Sequence, residues 1–193
     1  EQDGDVDMKV EIAPNNAELP AVINYEDLKD TVINYSKGEA IANPLTAKRE
    51  NGDGTVNIDG WAHAQLLNTK SDIWVKGHMI SQELGGKGSR GEENLTIITK
   101  STNSQMTSGP EKYAKDKTKA GKTLSYKVNW ENHPDKGDIK NFAKDITIEI
   151  EDLADNQKKN FSCKDLDPPS ENVDGVVLHL NDLGRPMLKE HFG

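Results

Sequence analysis

The amino-acid sequence predicts an α+β fold in which a strand, a loop, a second strand and a helix form a central unit that an antiparallel sheet extends. A glycine-rich loop, Gly85–Gly91, separates two short apolar segments, Ile73–His78 and Leu95–Thr99, as in a hairpin with a long tip. Further along, apolar and polar side chains alternate over Thr123–Trp130 and Ile146–Ile150, which indicates two half-buried antiparallel strands.

Upstream of the hairpin the sequence predicts mainly short elements. Apolar spacing distinguishes helices from strands, and a stretch rich in glycine, asparagine and proline indicates a loop. The elements are a strand at Met8–Ile12, a helix at Tyr25–Tyr35, a loop at Ser36–Gly54, a strand at Val56–Ile58 and a helix at Gly60–Leu67.

Downstream of the hairpin, Ser108-Gly-Pro-Glu is typical of a helix start, with Pro110 at the first helical position and Glu111 beside it. A lysine-rich helix follows and ends near Gly121, so that the central unit covers about 72–121. The remaining predicted elements are a hairpin loop at Glu131–Asp138, a polar connection at Gln157–Pro169, an apolar run at Val176–Leu180 and a short helix at Pro186–Phe192.

The composition is that of a globular protein, and we expect one domain covering 1–193. The 193 residues are enough for one sizeable core, with 33% apolar and 30% charged residues. No apolar run approaches the roughly 18 to 20 residues that cross a bilayer, which argues against a membrane partner. Cys163 is the only cysteine in the sequence, which excludes a disulfide-based fold.

The net charge of −9 conceals a basic middle segment. Residues 61–127 hold 11 basic and 6 acidic residues, a net charge of +5, whereas the segments on both sides are acidic. Because lysine and arginine neutralise phosphates, this distribution favours a nucleic acid as the partner, although lysine runs are also common on solvated helix faces. Basic side chains near the hairpin and the lysine-rich helix are Lys76, Lys87, Arg90, Lys112, Lys115, Lys117, Lys119 and Lys122.

The same segment contains the residue types that phosphodiester hydrolysis needs. A neutral histidine such as His78 can deprotonate a water near neutral pH. Asn103 offers a carbonyl oxygen suited to Mg²⁺, which prefers oxygen ligands and keeps several waters, and Glu111 can hold one of those waters. Because His78 ends one strand and Asn103 follows the paired strand, we expect the hairpin to bring them to the same phosphate.

Three strings in this segment resemble the DNA/RNA non-specific endonuclease family, whose catalytic sites are ββα-metal fingers, also called His-Me fingers. They are Lys76-Gly-His78, Asn94-Leu-Thr-Ile-Ile-Thr and the pair Asn103 and Glu111. The family signature has Asp-Arg-Gly-His, then Asn-x-x-Pro-Gln, then an asparagine followed eight positions later by a glutamate. Asn103 and Glu111 keep that eight-residue spacing.

The resemblance implies an α+β domain with a ββα-metal finger, an added antiparallel sheet and flanking helices. It also implies Mg²⁺-dependent cleavage of DNA, extending to RNA, with Mn²⁺ as an alternative ion. His78 is then the general base, Asn103 the direct metal ligand and Glu111 a ligand to the metal or its water, while Asn94 orders the site and Lys76 takes the place of a phosphate-contacting arginine. The form of the strings is most similar to a bacterial branch of toxins and effectors, which implies a secreted or delivered protein with an immunity protein as a further partner.

The sequence departs from the family signature at four positions. Val75 replaces the aspartate, Lys76 the arginine, Ile97 the proline and Ile98 the glutamine. Lysine keeps the charge of arginine but loses its bidentate geometry.

Each candidate residue also has a purely structural interpretation. Asn94 suits a turn, Asn103 a helix cap, and Glu111 a favourable charge at a helix start. His63 is typical of a packing histidine rather than a second base.

Two other functions fit the sequence. A catalytically inactive module that keeps the hairpin and binds nucleic acid or a protein is compatible with Val75, Lys76 and the negative net charge. A calcium-dependent carbohydrate-binding or adhesion domain rests on two loops, Asp3–Asp7 and Asn51–Asn57, which lack the glycine and the glutamate of a complete calcium loop.

Overall fold

Eight strands and three α-helices are present in the parts of the chain that the computed structural model describes, residues 11–12, 33–45, 55–69, 73–134 and 140–166. The helices are α1 (Trp61–Asn68), α2 (Lys100–Met106) and α3 (Lys112–Lys119). The strands are β1 (Glu11–Ile12), β2 (Ile33–Ser36), β3 (Glu39–Leu45), β4 (Trp74–His78), β5 (Leu95–Thr99), β6 (Leu124–Asn132), β7 (Ala143–Asp152) and β8 (Lys158–Cys163).

The larger of two sheets has six antiparallel strands in the order β1-β8-β7-β6-β3-β2. Its centre is the pair β6 and β7, where Tyr126 lies opposite Ile150 and Val128 opposite Ile148. Every second residue from Leu124 to Trp130 and from Ile146 to Ile150 is buried, as the alternation of the sequence predicts. The two predicted antiparallel strands are thus confirmed, and both are longer than expected.

The second sheet is the hairpin of β4 and β5, which confirms the two strands predicted around the glycine-rich loop. Trp74 pairs with Thr99 and His78 with Leu95. Hydrogen bonds close both ends: the Met79 amide donates to the Asn94 carbonyl at 2.7 Å, and the Lys100 amide donates to the Ile73 carbonyl at 2.8 Å. The hairpin is therefore fixed beyond its last paired residues.

The chain is helical from Lys100 to Lys119 without interruption, so the predicted helix start at Ser108 is wrong. The Thr99 side chain accepts a hydrogen bond from the Thr102 amide and caps α2. Pro110 has no amide hydrogen, and the turn around it widens to a π turn over Thr107–Glu111, in which the Lys112 amide donates to the Thr107 carbonyl.

The hairpin lies between two groups of buried apolar side chains. The first group fills the space between the large sheet and the helical run, and it includes Ile98 and Met106. The second group lies against α1 and includes Trp74 and Ile97. Because successive strand residues point to opposite faces, each face of the hairpin contributes to one group.

Several predicted elements differ from the structure. The loop at Ser36–Gly54 is wrong because it contains β3, and the polar connection at Gln157–Pro169 is wrong because it contains β8. Val56–Ile58 forms no strand. The end of the predicted helix Tyr25–Tyr35 is strand β2.

Other predictions fall partly or wholly outside the described residues. The predicted helix at Gly60–Leu67 is confirmed as α1. Strand β6 runs into the predicted Glu131–Asp138 loop, of which 135–139 lie outside the described residues. Most of Met8–Ile12 and of Tyr25–Tyr35 also lies outside the described residues. So do both calcium-like loops, except for Thr55–Asn57, and the predicted elements after 166. Of the helices that are described, none has the length and apolar character needed to cross a membrane.

Candidate functional site

His78 is the last residue of β4, where the chain leaves the hairpin. Strand alternation places its side chain on the same face as those of Lys76 and Trp74. The residue is half-buried, and its Nε2 atom is shielded from solvent.

Asn103 lies in the first turn of α2, which crosses the hairpin at Gly77. Its Oδ1 atom is 3.7 Å from the position that a Cβ atom on Gly77 would occupy, and Ile98 Cδ1 is 2.4 Å from the same position. The absence of a side chain at Gly77 thus lets both residues approach β4. Since Thr99 caps the helix, Asn103 is not the cap. Its carboxamide lies next to Gly77, the residue before His78, on the face of β4 opposite the one to which alternation directs the His78 side chain.

Asn103 and Glu111 lie on one face of the helical run because of the π turn. Eight residues of regular α-helix turn through about 800°, which would leave the two side chains about 80° apart. The π turn accommodates one extra residue, so the difference falls to about 20°. Thr107 lies between them, and the single hydrogen of its hydroxyl can be donated either to the Asn103 carbonyl, 3.0 Å away, or to the Glu111 carboxyl.

Glu111 is a buried carboxyl with only 6% of its surface exposed. Burial raises its pKa to about 7, and the negative charge of Glu83 acts in the same direction. Lys115 and the hydrogen bond from Thr107 oppose this rise. Lys115 is itself in an ion pair with Glu83 at 2.6 Å, so its charge is shared between the two carboxylates.

Asn94 is fully buried at the start of β5 and connects both ends of the loop between the strands. Its Oδ1 accepts from the Ile80 amide at 2.9 Å, while its Nδ2 donates to the carbonyls of Ile80 at 3.1 Å and Lys87 at 3.3 Å. The backbone carbonyl of Asn94 accepts from Met79, the residue after His78. Asn94 therefore fixes the path of the chain as it leaves His78.

Lys76 is held by two neighbours on the His78 face of the hairpin. Its Nζ donates to the Val56 carbonyl at 3.3 Å and lies 5.1 Å from the centre of the Trp61 ring. Trp61 begins α1, on the other side of the smaller group of apolar side chains.

Several charges of the basic segment are neutralised within the protein. Lys112 pairs with Asp116 at 2.6 Å, and Lys122 lies 3.8 Å from Asp152. Arg90 pairs with Glu93 at 2.8 Å and stacks on Tyr35. The local charge available to an anionic partner is consequently smaller than the sequence suggests.

Glu83 and Trp61 were not identified as site residues from the sequence. Glu83 precedes the glycine-rich loop and lies 28 positions from Glu111 along the chain. Trp61 lies 15 positions before Lys76. No local sequence pattern indicates that Glu83 acts on Glu111 or that Trp61 contacts Lys76, because both contacts depend on the packing of elements that are distant along the chain.

The Asn103 carboxamide and the Glu111 carboxyl are the oxygen donors that would hold a hydrated Mg²⁺ ion. Mg²⁺ commonly takes one or two protein oxygens and several waters, which corresponds to the Asn103 carboxamide with the buried Glu111 carboxyl further along the same face. Among the described residues no group of three or more His, Cys, Asp or Glu side chains could enclose a metal.

No protein-family model matches this chain, and no curated protein matches it. Among solved structures the chain is similar to NucA from Streptococcus agalactiae, whose crystal structure contains a bound magnesium ion. The TM-score is 0.51 with 13% sequence identity, and the likeness covers 84% of this chain and 81% of NucA. At this identity the likeness establishes a shared fold, a mixed α and β structure with antiparallel sheets and few helices.

Proposed function

We propose that this protein is a Mg²⁺-dependent non-specific endonuclease that hydrolyses phosphodiester bonds of DNA, and also of RNA, at a ββα-metal finger formed by β4, β5 and the helical run Lys100–Lys119. The observation that carries the proposal is the Asn103 Oδ1 atom, 3.7 Å from the Cβ position of Gly77 and at the same strand end as His78. In this proposal the carboxamide serves as a cation ligand and the imidazole as a base, and both act on one phosphate at this end of β4. The fold shared with NucA, whose structure contains magnesium, supports the same ion.

In this proposal His78 is the general base. A neutral imidazole accepts a proton from water near neutral pH. The hydroxide formed in this way attacks phosphorus, and the bond to the 3′ oxygen breaks with its electron pair on that oxygen. The 3′ oxygen takes a proton from water, which leaves a 5′-phosphate and a 3′-hydroxyl.

Asn103 would hold the divalent cation directly and Glu111 through a water. The two residues are about two helical turns apart, roughly 11 Å along the axis, so both cannot reach one ion directly. When bound, the cation supplies the positive charge that stabilises the phosphoryl oxygens and the departing 3′ oxygen. Mg²⁺ is the proposed ion, and Mn²⁺ is expected to replace it.

Asn94 and Lys76 have supporting roles in the proposal. Asn94 fixes the chain that follows His78 through its hydrogen bonds to Ile80. Lys76 lies on the His78 face and contributes a positive charge toward a phosphate. We further propose a role as a bacterial toxin or effector with a cognate immunity protein, for which the support is the resemblance of the Lys76–Glu111 strings to that branch of the family.

Cleavage of supercoiled plasmid DNA with and without EDTA tests this function. We expect nicking in Mg²⁺, its loss in EDTA, and its loss in His78→Ala with an unchanged thermal unfolding midpoint. His63→Gln is a matched control, because His63 packs against Phe142 with ring centres 6.3 Å apart and has no proposed role in the reaction.

Two outcomes contradict the mechanism. Cleavage by His78→Ala at the rate of the parent protein rejects His78 as the base. Absence of metal-dependent nicking by the parent protein, together with retained DNA binding, favours the inactive binding module that Lys76 and the internally paired lysines are compatible with.

A further inference from the structure

The Lys76 ammonium group is held in place by two neighbouring groups, the Val56 carbonyl and the Trp61 ring. A lysine side chain is a flexible stem with a point charge, and it does not impose the fixed geometry of an arginine fork. Here Nζ donates to the Val56 carbonyl at 3.3 Å and lies 5.1 Å from the centre of the Trp61 ring. Two different groups, a carbonyl and an indole ring, thus contact the same ammonium.

Trp61 is itself fixed by the turn that starts α1. Gly60 has a φ of +91°, and a Cβ atom there would lie 1.9 Å from the Lys140 carbonyl oxygen, so glycine is required. The Trp61 amide donates to the Ile58 carbonyl at 3.2 Å, and the Ala64 amide donates to the Gly60 carbonyl at 3.1 Å. The backbone at Trp61 therefore has a defined position, and its partly buried side chain packs against the smaller group of apolar side chains.

These contacts leave the ammonium group capable of binding an anion. Lysine has three N–H donors; one is directed to the Val56 carbonyl, and the face of the indole attracts the cation without accepting a conventional hydrogen bond. Lys76 is two residues before His78, so strand alternation places both on one face of β4. A phosphate held by Lys76 would thus lie on the His78 side of the hairpin.

We propose that Trp61 is a positioning residue that, with the Val56 carbonyl, orients the Lys76 ammonium group toward a phosphate of the nucleic-acid substrate. This inference rests on the proposed function, because it assigns a substrate phosphate to Lys76. The cation–π contact and the hydrogen bond to the carbonyl restrict the orientation of the ammonium group, as the planar guanidinium of an arginine would restrict its own donors. A lysine can therefore bind the phosphate in a defined geometry.

A double-mutant cycle in the His78→Ala protein tests the inference through binding alone. The probe is a short fluorescein-labelled DNA duplex of mixed sequence, and the readout is its anisotropy. Trp61→Leu keeps an apolar side chain but removes the ring, and we expect it to weaken binding about three- to tenfold. Lys76→Met should weaken binding at least as much, and Trp61→Leu should add nothing once Lys76→Met is present. Trp61→Phe should restore part of the affinity.

Two further measurements separate positioning from a structural role. The matched control Lys127→Met removes a lysine from the sheet face opposite the core and should leave affinity unchanged. In NMR spectra the Lys76 methylene protons should shift upfield under the Trp61 ring and lose that shift in Trp61→Leu. Additive effects of the two substitutions, or Lys76 resonances that do not respond to Trp61→Leu, would overturn the inference.

The outcomes also separate this inference from the nuclease proposal. Lys76-dependent and Trp61-dependent binding without any metal-dependent cleavage by the parent protein rejects the nuclease but keeps the phosphate contact. Cleavage and binding that are indifferent to both substitutions reject the phosphate contact and keep the nuclease. A protein that binds no duplex at all rejects both.

Discussion

Asn94 shows how one buried side chain can determine the geometry of a loop. Its carboxamide makes three hydrogen bonds, two with Ile80 and one with Lys87. An asparagine between a polar loop and a strand is visible in the sequence, but its partners are not, because an asparagine at a turn usually bonds to its own neighbours. The sequence thus identified the residue without indicating what it holds.

Asn94→Ala is expected to destabilise the protein by about 3 kcal/mol, because it leaves a buried amide and a buried carbonyl of Ile80 without these partners. Urea denaturation followed by tryptophan fluorescence measures the change. Asn129→Ala, at a half-buried position of β6, is the control and should cost less than about 1 kcal/mol. Equal unfolding free energies for the two variants would contradict the importance of these bonds.

Glu111 should make stability depend on pH when divalent cations are absent. Burial raises the pKa of its folded-state carboxyl to about 7 from an ordinary value of 4.5, so the folded protein binds the proton more tightly than the unfolded chain. The contribution of this carboxyl to the free energy of unfolding is fully present below pH 4.5, the pKa in the unfolded chain. It is lost as the pH rises to about 7, and the loss is at most about 3 kcal/mol.

Unfolding free energies measured between these two pH values in EDTA check this expectation. Glu111→Gln carries no titrating group and should flatten the decline. A decline of the same size in Glu111→Gln would assign the dependence to other groups.

At the scale of secondary structure, the elements that the sequence predicted correctly are those with a strong apolar period. Strands β6 and β7 alternate regularly, and both belong to the centre of the large sheet. Strand β3 buries only small alanines and one leucine and contains a proline, and β8 buries only Phe161 and Cys163. Their place in the sheet is decided by pairing with neighbours rather than by their own composition.

Helix α2 was missed for a different reason. Its sequence, Lys-Ser-Thr-Asn-Ser-Gln-Met, is rich in residues that compete with the helix backbone for hydrogen bonds and favour caps and turns. The Thr99 cap and the burial of Thr102 and Met106 against the hairpin outweigh that preference. Asn103 therefore lies on a helix that propensity alone would not have assigned.

The contact between α2 and β4 depends on the glycine at position 77. Gly77→Ala would bring a Cβ atom to 2.4 Å from Ile98 Cδ1, so a buried side chain or the helix must move. We expect a loss of about 1–3 kcal/mol of stability. In Gly77→Ala combined with Ile98→Val, which removes Cδ1, part of the loss should be recovered.

Thermal unfolding of the two single variants and of the double variant measures this coupling. Losses that simply add in the double variant would show that the Cδ1 contact is not the cause. Asn103 Oδ1 is 3.7 Å from the same Cβ position, so Gly77→Ala should also reduce metal-dependent activity more than its stability loss explains.

At the scale of the whole molecule, a basic segment lies within an acidic chain, and ion pairs determine how much of its charge is available. Lys112 is paired with Asp116, whereas no ion pair involves Lys119 in the described part of the chain. The sequence shows the excess of lysines but cannot show which of them are already paired, because Glu83 and Asp152 reach the lysines from distant elements.

If α3 borders the bound nucleic acid, its two ends should contribute unequally to the salt dependence of binding. Lys119→Met should reduce the slope of log affinity against log salt by up to about one, because one phosphate contact is lost. Lys112→Met on the same helix is the matched control and should change the slope less. The measurement is duplex binding by the His78→Ala protein at several salt concentrations. Slopes in both variants that are unchanged from that of the His78→Ala protein would exclude this face as a contact.

The π turn at Thr107–Glu111 has a consequence for the evolution of chain length. It corresponds to a regular helix into which one residue has been inserted, with the segments before and after it still in phase. Deleting Pro110 would place Asn103 and Glu111 seven residues apart, which a regular helix also directs to one side. This stretch can therefore gain or lose a residue while its ends keep their mutual orientation, whereas the same deletion within β4 or β5 would reverse every side chain beyond it.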